Sequence, residues 1–92
     1  MKNSNVKYEL RFDDDAKRVY QQVDIKLARR FNRCLDRLGE NPFTHPNIKP
    51  LTGVLKGLYR CRVGDWRVIY EVIPSQRVVN VLQIIRRGQA YQ

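Results

Sequence analysis

The chain has 92 residues, enough for one domain with a single modest hydrophobic core and too few for a second domain. Eighteen Lys and Arg against nine Asp and Glu give a net charge of +9, so the surface is expected to attract nucleic acid or an acidic protein. A generally basic, soluble surface is the alternative interpretation. No apolar run reaches the roughly 18 residues of a membrane span, and the start "MKNSNVKYEL" lacks a secretory signal. We therefore expect one cytoplasmic domain, residues 1–92, without membrane association.

The first half of the chain predicts one strand followed by two helices. Residues 6–12, "VKYELRF", alternate apolar and polar side chains, which is the pattern of a strand with one buried face. A helix is expected to begin after Asp13, an N-cap residue followed by two aspartates that suit the positive end of a helix dipole. Residues 24–40 carry apolar side chains at helical spacing and are expected to form a helix that Gly39 and Pro42 end. The two helices should form an antiparallel hairpin.

The second half of the chain predicts a loop and three strands. Residues 41–57 hold three of the four prolines and two glycines, which indicates a long loop. Strands separated by tight turns are predicted at residues 57–63, 66–73 and 77–86. The fold class is therefore expected to be α+β. An amino-terminal strand, a helical hairpin and a three-stranded antiparallel meander place the helices on one face of a four-stranded sheet.

Neither a metal nor a cofactor is predicted. Cys34 and Cys61 are too far apart for a CxxC pair and fall within apolar patterns, so they are interpreted as reduced core thiols rather than metal ligands or a disulfide. The run Asp13, Asp14, Asp15 is explained by the helix start, because adjacent acids there do not converge on one point.

Basic side chains occupy one face of the second helix and one face of the predicted β-hairpin. The helical set is Lys26, Arg29, Arg30, Arg33 and Arg37. These residues could bind phosphates, or they could form an ordinary solvated surface.

The stretch "LYRCRVGDWRVIY" carries three arginines with the same parity on two strands: Arg60, Arg62 and Arg67. If Gly64-Asp65 forms the turn, Arg62 lies directly opposite Arg67, where like charges are destabilising. The alternating apolar residues must meet the helices, so the three arginines should lie on the open face of the sheet. Planar guanidinium groups held by strands can bind a phosphate bidentately. Alternatively, exposed strand positions simply favour long charged side chains.

The last predicted strand ends in "RRGQAYQ", which adds Arg86, Arg87 and Tyr91. Counting from a pairing of Val72 with Val79, Arg86 shares the face of Arg67 and Arg87 does not. Strand ends are often irregular, so either arginine could reach the open face.

With these residues in place, the run "LTGVLKGLYRCRVGDWRVIYEV…VVNVLQIIRRGQAY" resembles the RelE/ParE superfamily of bacterial toxins. In that superfamily a loop Leu-x-Gly precedes strands of the form Tyr-basic-x-Arg-x-Gly-x-x-Arg-Val-x-Tyr, and a closing Arg-x-x-x-Tyr follows. The resemblance covers nearly the whole chain. It is stronger to the RelE branch, whose members cut messenger RNA in the ribosomal A site, than to the ParE branch, whose members inhibit DNA gyrase.

The resemblance implies the toxin of a type II toxin–antitoxin system, acting as a metal-independent, ribosome-dependent mRNA endonuclease. In that reaction the ribose 2′-hydroxyl attacks the adjacent phosphate, so cations must surround the phosphorane and proton transfer is needed at both oxygens. The predicted catalytic residues are Arg62, Arg67, Arg87 and Tyr91, where Tyr91 stacks on a base or takes part in proton transfer. The predicted RNA-binding residues are Arg60, Arg86, Lys56, Arg30 and Arg33.

The general base is left open by the sequence. Some RelE-like toxins have lysines where this chain has Arg60 and Arg62, and arginine stays protonated at any relevant pH. Tyr91, Glu71, His45 or the ribosome itself could act as the base, which predicts weak activity in isolation. The alternative function is ParE-like inhibition of gyrase without nuclease activity. In either case the expected partner is an acidic antitoxin that folds over residues 60–91.

Overall fold

Five strands and two helices make up residues 7–88, the part of the chain that the computed structural model describes. They are β1 (Glu9–Phe12), α1 (Asp14–Gln22), α2 (Ile25–Glu40), β2 (Ile48–Pro50), β3 (Tyr59–Val63), β4 (Trp66–Ile73) and β5 (Val78–Arg86). The strands form one sheet in the order β1-β5-β4-β3-β2, in which β1 runs parallel to β5 and the other pairs are antiparallel. The predicted α+β fold is confirmed. No helix within residues 7–88 has the length and apolar character to cross a membrane.

The sheet has five strands rather than the predicted four. The additional strand, β2, lies in the segment predicted as a long loop and pairs Ile48 with Cys61 and Pro50 with Tyr59. Proline lacks an amide donor, but it is tolerated on an edge strand. Because β2 depends on a partner distant in sequence, its local composition alone indicated only a loop.

The two helices begin at the predicted aspartates, but these act differently. Asp24 caps α2, since its carboxylate accepts a hydrogen bond from the Leu27 amide at 2.9 Å. Asp13 lies at the N-cap position of α1 without a side-chain cap bond. Its carboxylate instead accepts a hydrogen bond from the Asn80 side-chain amide at 3.3 Å, which links the start of α1 to β5.

Helix α2 ends at Glu40, the last residue of the predicted range, and Pro42 follows two residues later. Gly39 is buried in its last turn. Its carbonyl accepts hydrogen bonds from the Lys7 and Tyr8 amides, both at 2.9 Å. These bonds attach the chain before β1 to the end of α2.

The hydrophobic core lies between α2 and one face of the sheet, called here the inner face. The largest fully buried side chains include Phe31, Leu38, Val68, Tyr70, Val79 and Val81. The Tyr70 hydroxyl donates a 2.7 Å hydrogen bond to the Pro42 carbonyl, so its polar group is satisfied inside the core.

Cys34 of α2 and Cys61 of β3 are buried neighbours in this core, so their predicted place in the core is confirmed. A hydrogen bond with Cys61, together with burial, raises the pKa of the Cys34 thiol. The same hydrogen bond lowers the pKa of Cys61, and the positive charges of Arg37 and Arg60 act in the same direction. Burial keeps both sulfur atoms away from solvent, so neither is placed to attack a ligand.

Candidate nucleic-acid interface

The hairpin of β3 and β4 positions the central pair of candidate residues. Gly64 and Asp65 form the turn, and Val63 pairs with Trp66, as predicted. Arg62 therefore lies directly opposite Arg67. Since Val63 is buried on the inner face, the alternation of the strands sends both arginines to the opposite face, called here the outer face.

Among residues 7–88, no acidic side chain forms an ion pair with Arg62 or Arg67. Arg62 is exposed. Arg67 is half-buried, and its Nη1 donates a hydrogen bond to the adjacent Trp66 carbonyl at 3.3 Å. Within residues 7–88 the ion pairs are Arg11–Glu9 and Arg18–Asp15, both distant from the hairpin in sequence. Two uncompensated guanidinium groups on adjacent strands are suited to an anionic ligand.

Arg60 shares the outer face but its guanidinium serves the fold. Its Nη1 donates to the Asn47 carbonyl at 3.0 Å, and the Arg62 amide donates to the same oxygen at 2.9 Å. Arg60 is half-buried, and it ties β3 to the residue that precedes β2. It therefore points toward the β2 edge of the sheet rather than into the Arg62–Arg67 pair.

The outer face is more covered than the sequence predicted. Ile69, which pairs with Arg60 and lies on that face, is only 3% exposed. Ile69 lines a cleft of about 250 Å³ together with Leu55 and Leu58 of the loop before β3. The other lining residues are Leu82, Gln83, Asp13 and Asp15. The loop thus covers the middle of the sheet and leaves the hairpin end accessible.

A β-bulge in β5 changes the face on which Arg86 lies. Val72 pairs with Val79 as predicted, but the register shifts between Ile69 and Tyr70, so that Leu82 has no opposite residue. Arg86 therefore lies opposite Trp66, with its guanidinium carbon 5.5 Å from the centre of the indole ring. The prediction that Arg86 shares the face of Arg67 is wrong, because one inserted residue reverses the alternation.

Arginines from four elements lie around the hairpin turn, on both faces of the sheet. The Arg87 amide donates to the Asp65 carbonyl, which attaches the end of β5 to the turn. Arg30 of α2 packs against Gly64, where an added Cβ would collide with the guanidinium group. Gly64 also has a φ of +59°, a conformation that favours glycine. The arginine cluster is defined here as Arg30, Arg62, Arg67, Arg86 and Arg87.

The remaining predicted residues lie outside this cluster. Lys56 is exposed in the loop before β3, and Arg33 is exposed on α2. Tyr91 lies outside the residues that the structure describes.

The described candidates for the general base differ in their position relative to the Arg62–Arg67 pair. Glu71 accepts from the Asn80 side chain at 3.2 Å and lies four residues along β4 from Arg67, a span of about 13 Å in a strand, which is too far to share one phosphate with the pair. His45 Nδ1 accepts a hydrogen bond from the Asn47 amide at 3.0 Å, within its own loop. That loop lies beside β3, because the Arg62 amide donates to the Asn47 carbonyl.

Sequence reasoning missed a groove of about 1020 Å³ beside β1, on the inner side of the molecule. It is lined by all residues of 8–12 and by parts of both helices, including Tyr20, Leu35 and Asp36. The Glu9 amide donates to the Arg77 carbonyl and the Asp13 amide to the Val81 carbonyl, both on the side of β5. The Leu10 and Phe12 amides therefore point the other way, toward the edge of the sheet that β1 forms. The alternation of residues 6–12 contained part of this signal, because it indicated the apolar face, but that face was predicted to be buried.

Known proteins with similar sequence and structure identify the family. A model of the ParE toxin of the type II toxin–antitoxin system parDE matches residues 6–91. The toxin RelE of Mycobacterium tuberculosis is 39% identical over 89 residues, covering 92% of this chain and 87% of that protein.

Solved structures agree with this assignment. The RelE–RelB complex of Pyrococcus horikoshii OT3 contains a similar chain with a TM-score of 0.78 and 30% identity, covering 91% of this chain and 99% of that one. The toxin–antitoxin complex RelBE2 of Mycobacterium tuberculosis gives a TM-score of 0.76 at 25% identity, with 89% and 100% covered. The chain belongs to the RelE/ParE superfamily, the toxins of type II toxin–antitoxin systems.

Proposed function

We propose that this toxin is a ribosome-dependent mRNA endonuclease in which Arg62 and Arg67 hold the scissile phosphate. The observation that carries the proposal is their direct pairing on the accessible end of the outer face without acidic partners. In the proposed reaction the ribose 2′-hydroxyl loses its proton and its oxygen bonds to phosphorus. The bond to the 5′-oxygen breaks, that oxygen takes up a proton, and a cyclic phosphate remains. Two guanidinium groups stabilise the extra negative charge on the phosphorane.

The other proposed contributions come from the carboxyl-terminal residues. Arg87 adds positive charge at the hairpin turn, to which its amide is attached. Tyr91 stacks on a base or transfers a proton. Since Glu71 is engaged with Asn80 away from the pair, Tyr91, His45 or the ribosome supplies the general base. Because the ribosome contributes to the catalytic environment, cleavage by the isolated protein is predicted to be weak.

An acidic antitoxin is the proposed protein partner. Similar structures are RelE–RelB complexes, and the net charge of +9 favours rapid encounter with an acidic chain. The antitoxin would cover two surfaces with different chemistry. Its acidic part lies over residues 60–91. An apolar part occupies the groove beside β1, where the backbone amides that point away from the sheet can donate hydrogen bonds to an added strand.

Primer extension on cellular mRNA after induction tests the nuclease proposal. We expect new 5′ ends within codons of translated transcripts, because the ribosomal A site presents one codon at a time. The variant Arg62→Ala/Arg67→Ala should abolish these ends. Lys17→Ala/Arg18→Ala removes the same charge from α1 and should leave them unchanged. Intact transcripts in cells whose growth is arrested by the unsubstituted protein would overturn the proposal.

Inhibition of DNA gyrase is the second candidate, because the matching family model is described as a ParE toxin. A binding module needs no general base, so this function does not depend on a catalytic role for Tyr91, His45 or Glu71. It predicts intact transcripts and induction of the DNA-damage response. The same induced cultures distinguish the two functions.

A further inference from the structure

Helix α2 carries a straight row of basic side chains that the Arg62–Arg67 pair does not use. Lys26, Arg30, Arg33 and Arg37 follow each other at intervals of four, three and four residues, so they fall on one stripe of the helix. Eleven residues at 1.5 Å each give the row a length of about 16 Å, with about 6 Å across each four-residue step. Lys26, Arg30 and Arg33 are exposed and Arg37 is half-buried.

The two sides of α2 differ sharply in charge. Asp36 and Glu40 lie on the side that lines the groove beside β1, together with Asn32 and Leu35. The basic row lies on the other side, since Arg30 packs against Gly64 of the hairpin. Arg37, at the other end, lies close enough to Cys61 of β3 to interact electrostatically. Asp36 and Glu40 lie three residues beyond Arg33 and Arg37, on the flank of the row, but within residues 7–88 no ion pair joins either acid to it.

This row is a separate surface from the pair proposed to hold the scissile phosphate. Helix α2 packs on the inner face of the sheet through Phe31, whereas Arg62 and Arg67 project from the outer face. Within residues 7–88 the ion pairs of the structure involve Arg11 and Arg18, and none involves the row. Four cations are thus held in line by a rigid element without internal neutralisation.

The chemistry of the row indicates what kind of nucleic acid it fits. Surfaces for single strands combine positive charge with aromatic side chains on which bases stack. The only aromatic residue of α2 is Phe31, which is fully buried, so the row offers contacts to phosphate alone. Double-helical RNA is recognised mainly through its shape and backbone, which a straight row of guanidinium groups can follow.

We propose that Lys26, Arg30, Arg33 and Arg37 bind the phosphate backbone of double-helical RNA. The proposal is independent of mRNA cleavage, because it requires neither Arg62 nor Arg67. An acidic protein segment is the competing occupant, but regular phosphate spacing along a rigid duplex matches the regular spacing of the row.

Fluorescence anisotropy with a labelled blunt RNA stem-loop tests this proposal at salt concentrations from 50 to 200 mM. Lys26→Gln/Arg33→Gln removes two exposed charges without disturbing Arg30 at the turn. We expect affinity to fall about tenfold or more near 0.1 M salt. The slope of the logarithm of the association constant against the logarithm of the salt concentration should decrease in magnitude by about 2, since each phosphate contact contributes about 0.9. Lys26→Arg/Arg33→Lys should restore both quantities, because it conserves the charges.

Two controls separate the row from net charge and from the proposed catalytic pair. Lys17→Gln/Arg18→Gln loses the same formal charge on α1 and should keep duplex affinity within about threefold. Arg67→Ala should also keep it, although that variant is expected to lose toxicity. Four outcomes would each overturn the proposal. Two concern variants: an equal loss of duplex affinity in the α1 control, or a loss of duplex affinity in Arg67→Ala. Two concern ligands: tighter binding of a single strand than of the stem-loop, or binding of polyglutamate without binding of the duplex.

Discussion

Arg62 and Arg67 face each other across the β3–β4 hairpin, one residue pair away from its turn. Like charges in directly opposite positions destabilise a sheet, by an amount on the order of 0.2–1 kcal/mol. A nearby carboxylate would remove this cost, but the described ion pairs lie elsewhere. An anionic ligand between the two guanidinium groups would turn the repulsion into a favourable interaction. Stability and function are therefore expected to conflict at this pair.

The first prediction is that Arg62→Glu stabilises the protein and abolishes toxicity. A cross-strand Glu–Arg67 pair replaces repulsion with attraction, so the free energy of unfolding should rise by about 0.5 kcal/mol. Urea denaturation measures the change, and growth after induction measures toxicity. Arg62→Gln, which removes the repulsion without adding attraction, should give a smaller gain. A loss of stability in both variants would show that Arg62 supports the fold.

The second prediction concerns Arg67→Ala, which should lose growth inhibition and remain folded. The side chain is half-buried and its Nη1 donates a hydrogen bond to the adjacent Trp66 carbonyl, so its truncation should cost on the order of half a kcal/mol. Circular dichroism and urea denaturation check the fold. Arg18→Ala, on α1, is a matched control that should remain toxic. Full toxicity in Arg67→Ala would exclude this arginine from the active site.

The third prediction addresses the contact between Arg30 and Gly64. Gly64→Ala should lower the free energy of unfolding by roughly the 1 kcal/mol that a left-handed backbone costs, because the Arg30 guanidinium that its Cβ would meet is the end of a flexible, exposed side chain and can move aside. Gly53→Ala is the matched control, since Gly53 has a φ of +67° and open space around it, and it should cost the same. Urea denaturation measures both losses. A larger loss at Gly64 that disappears in an Arg30→Ala background would show that Arg30 is held rigidly on the turn.

The sequence predicted the hairpin well because its determinants are local. Gly64-Asp65 and the alternation on each side of it were enough to place Arg62 opposite Arg67. The same alternation predicted the apolar side of β1. Features set by residues close together in the chain were therefore accessible without coordinates.

The features that sequence reasoning missed depend on contacts between distant residues. Strand β2 exists because Ile48 and Pro50 pair with β3, and the prolines around it indicated only a loop. The bulge at Leu82 reversed the face of Arg86, and no residue type in "RVVNVLQII" marks its position. The coverage of Ile69 by Leu55 and Leu58 likewise follows from the folded path of the loop.

The fourth prediction concerns pH and the buried hydroxyl of Tyr70. Burial raises the pKa of Tyr70 well above its ordinary value of 10.0, so the folded protein keeps the proton at a pH where the unfolded chain loses it. The contribution of this group is fully present below pH 10 and is lost as pH rises beyond it, at a slope approaching about 1.4 kcal/mol per pH unit.

Tyr70→Phe isolates this contribution. The variant lacks the hydrogen bond to the Pro42 carbonyl and should be about 1 kcal/mol less stable at pH 7. The difference between the two proteins should shrink at pH 10.5 and reverse in sign near pH 11, because only the unsubstituted chain has a tyrosine to ionise at this position. Urea denaturation of both proteins at pH 7, 9, 10.5 and 11 measures the difference, and the thiols common to both cancel. A constant difference across this range would mean that Tyr70 ionises as easily in the folded protein as in the unfolded chain.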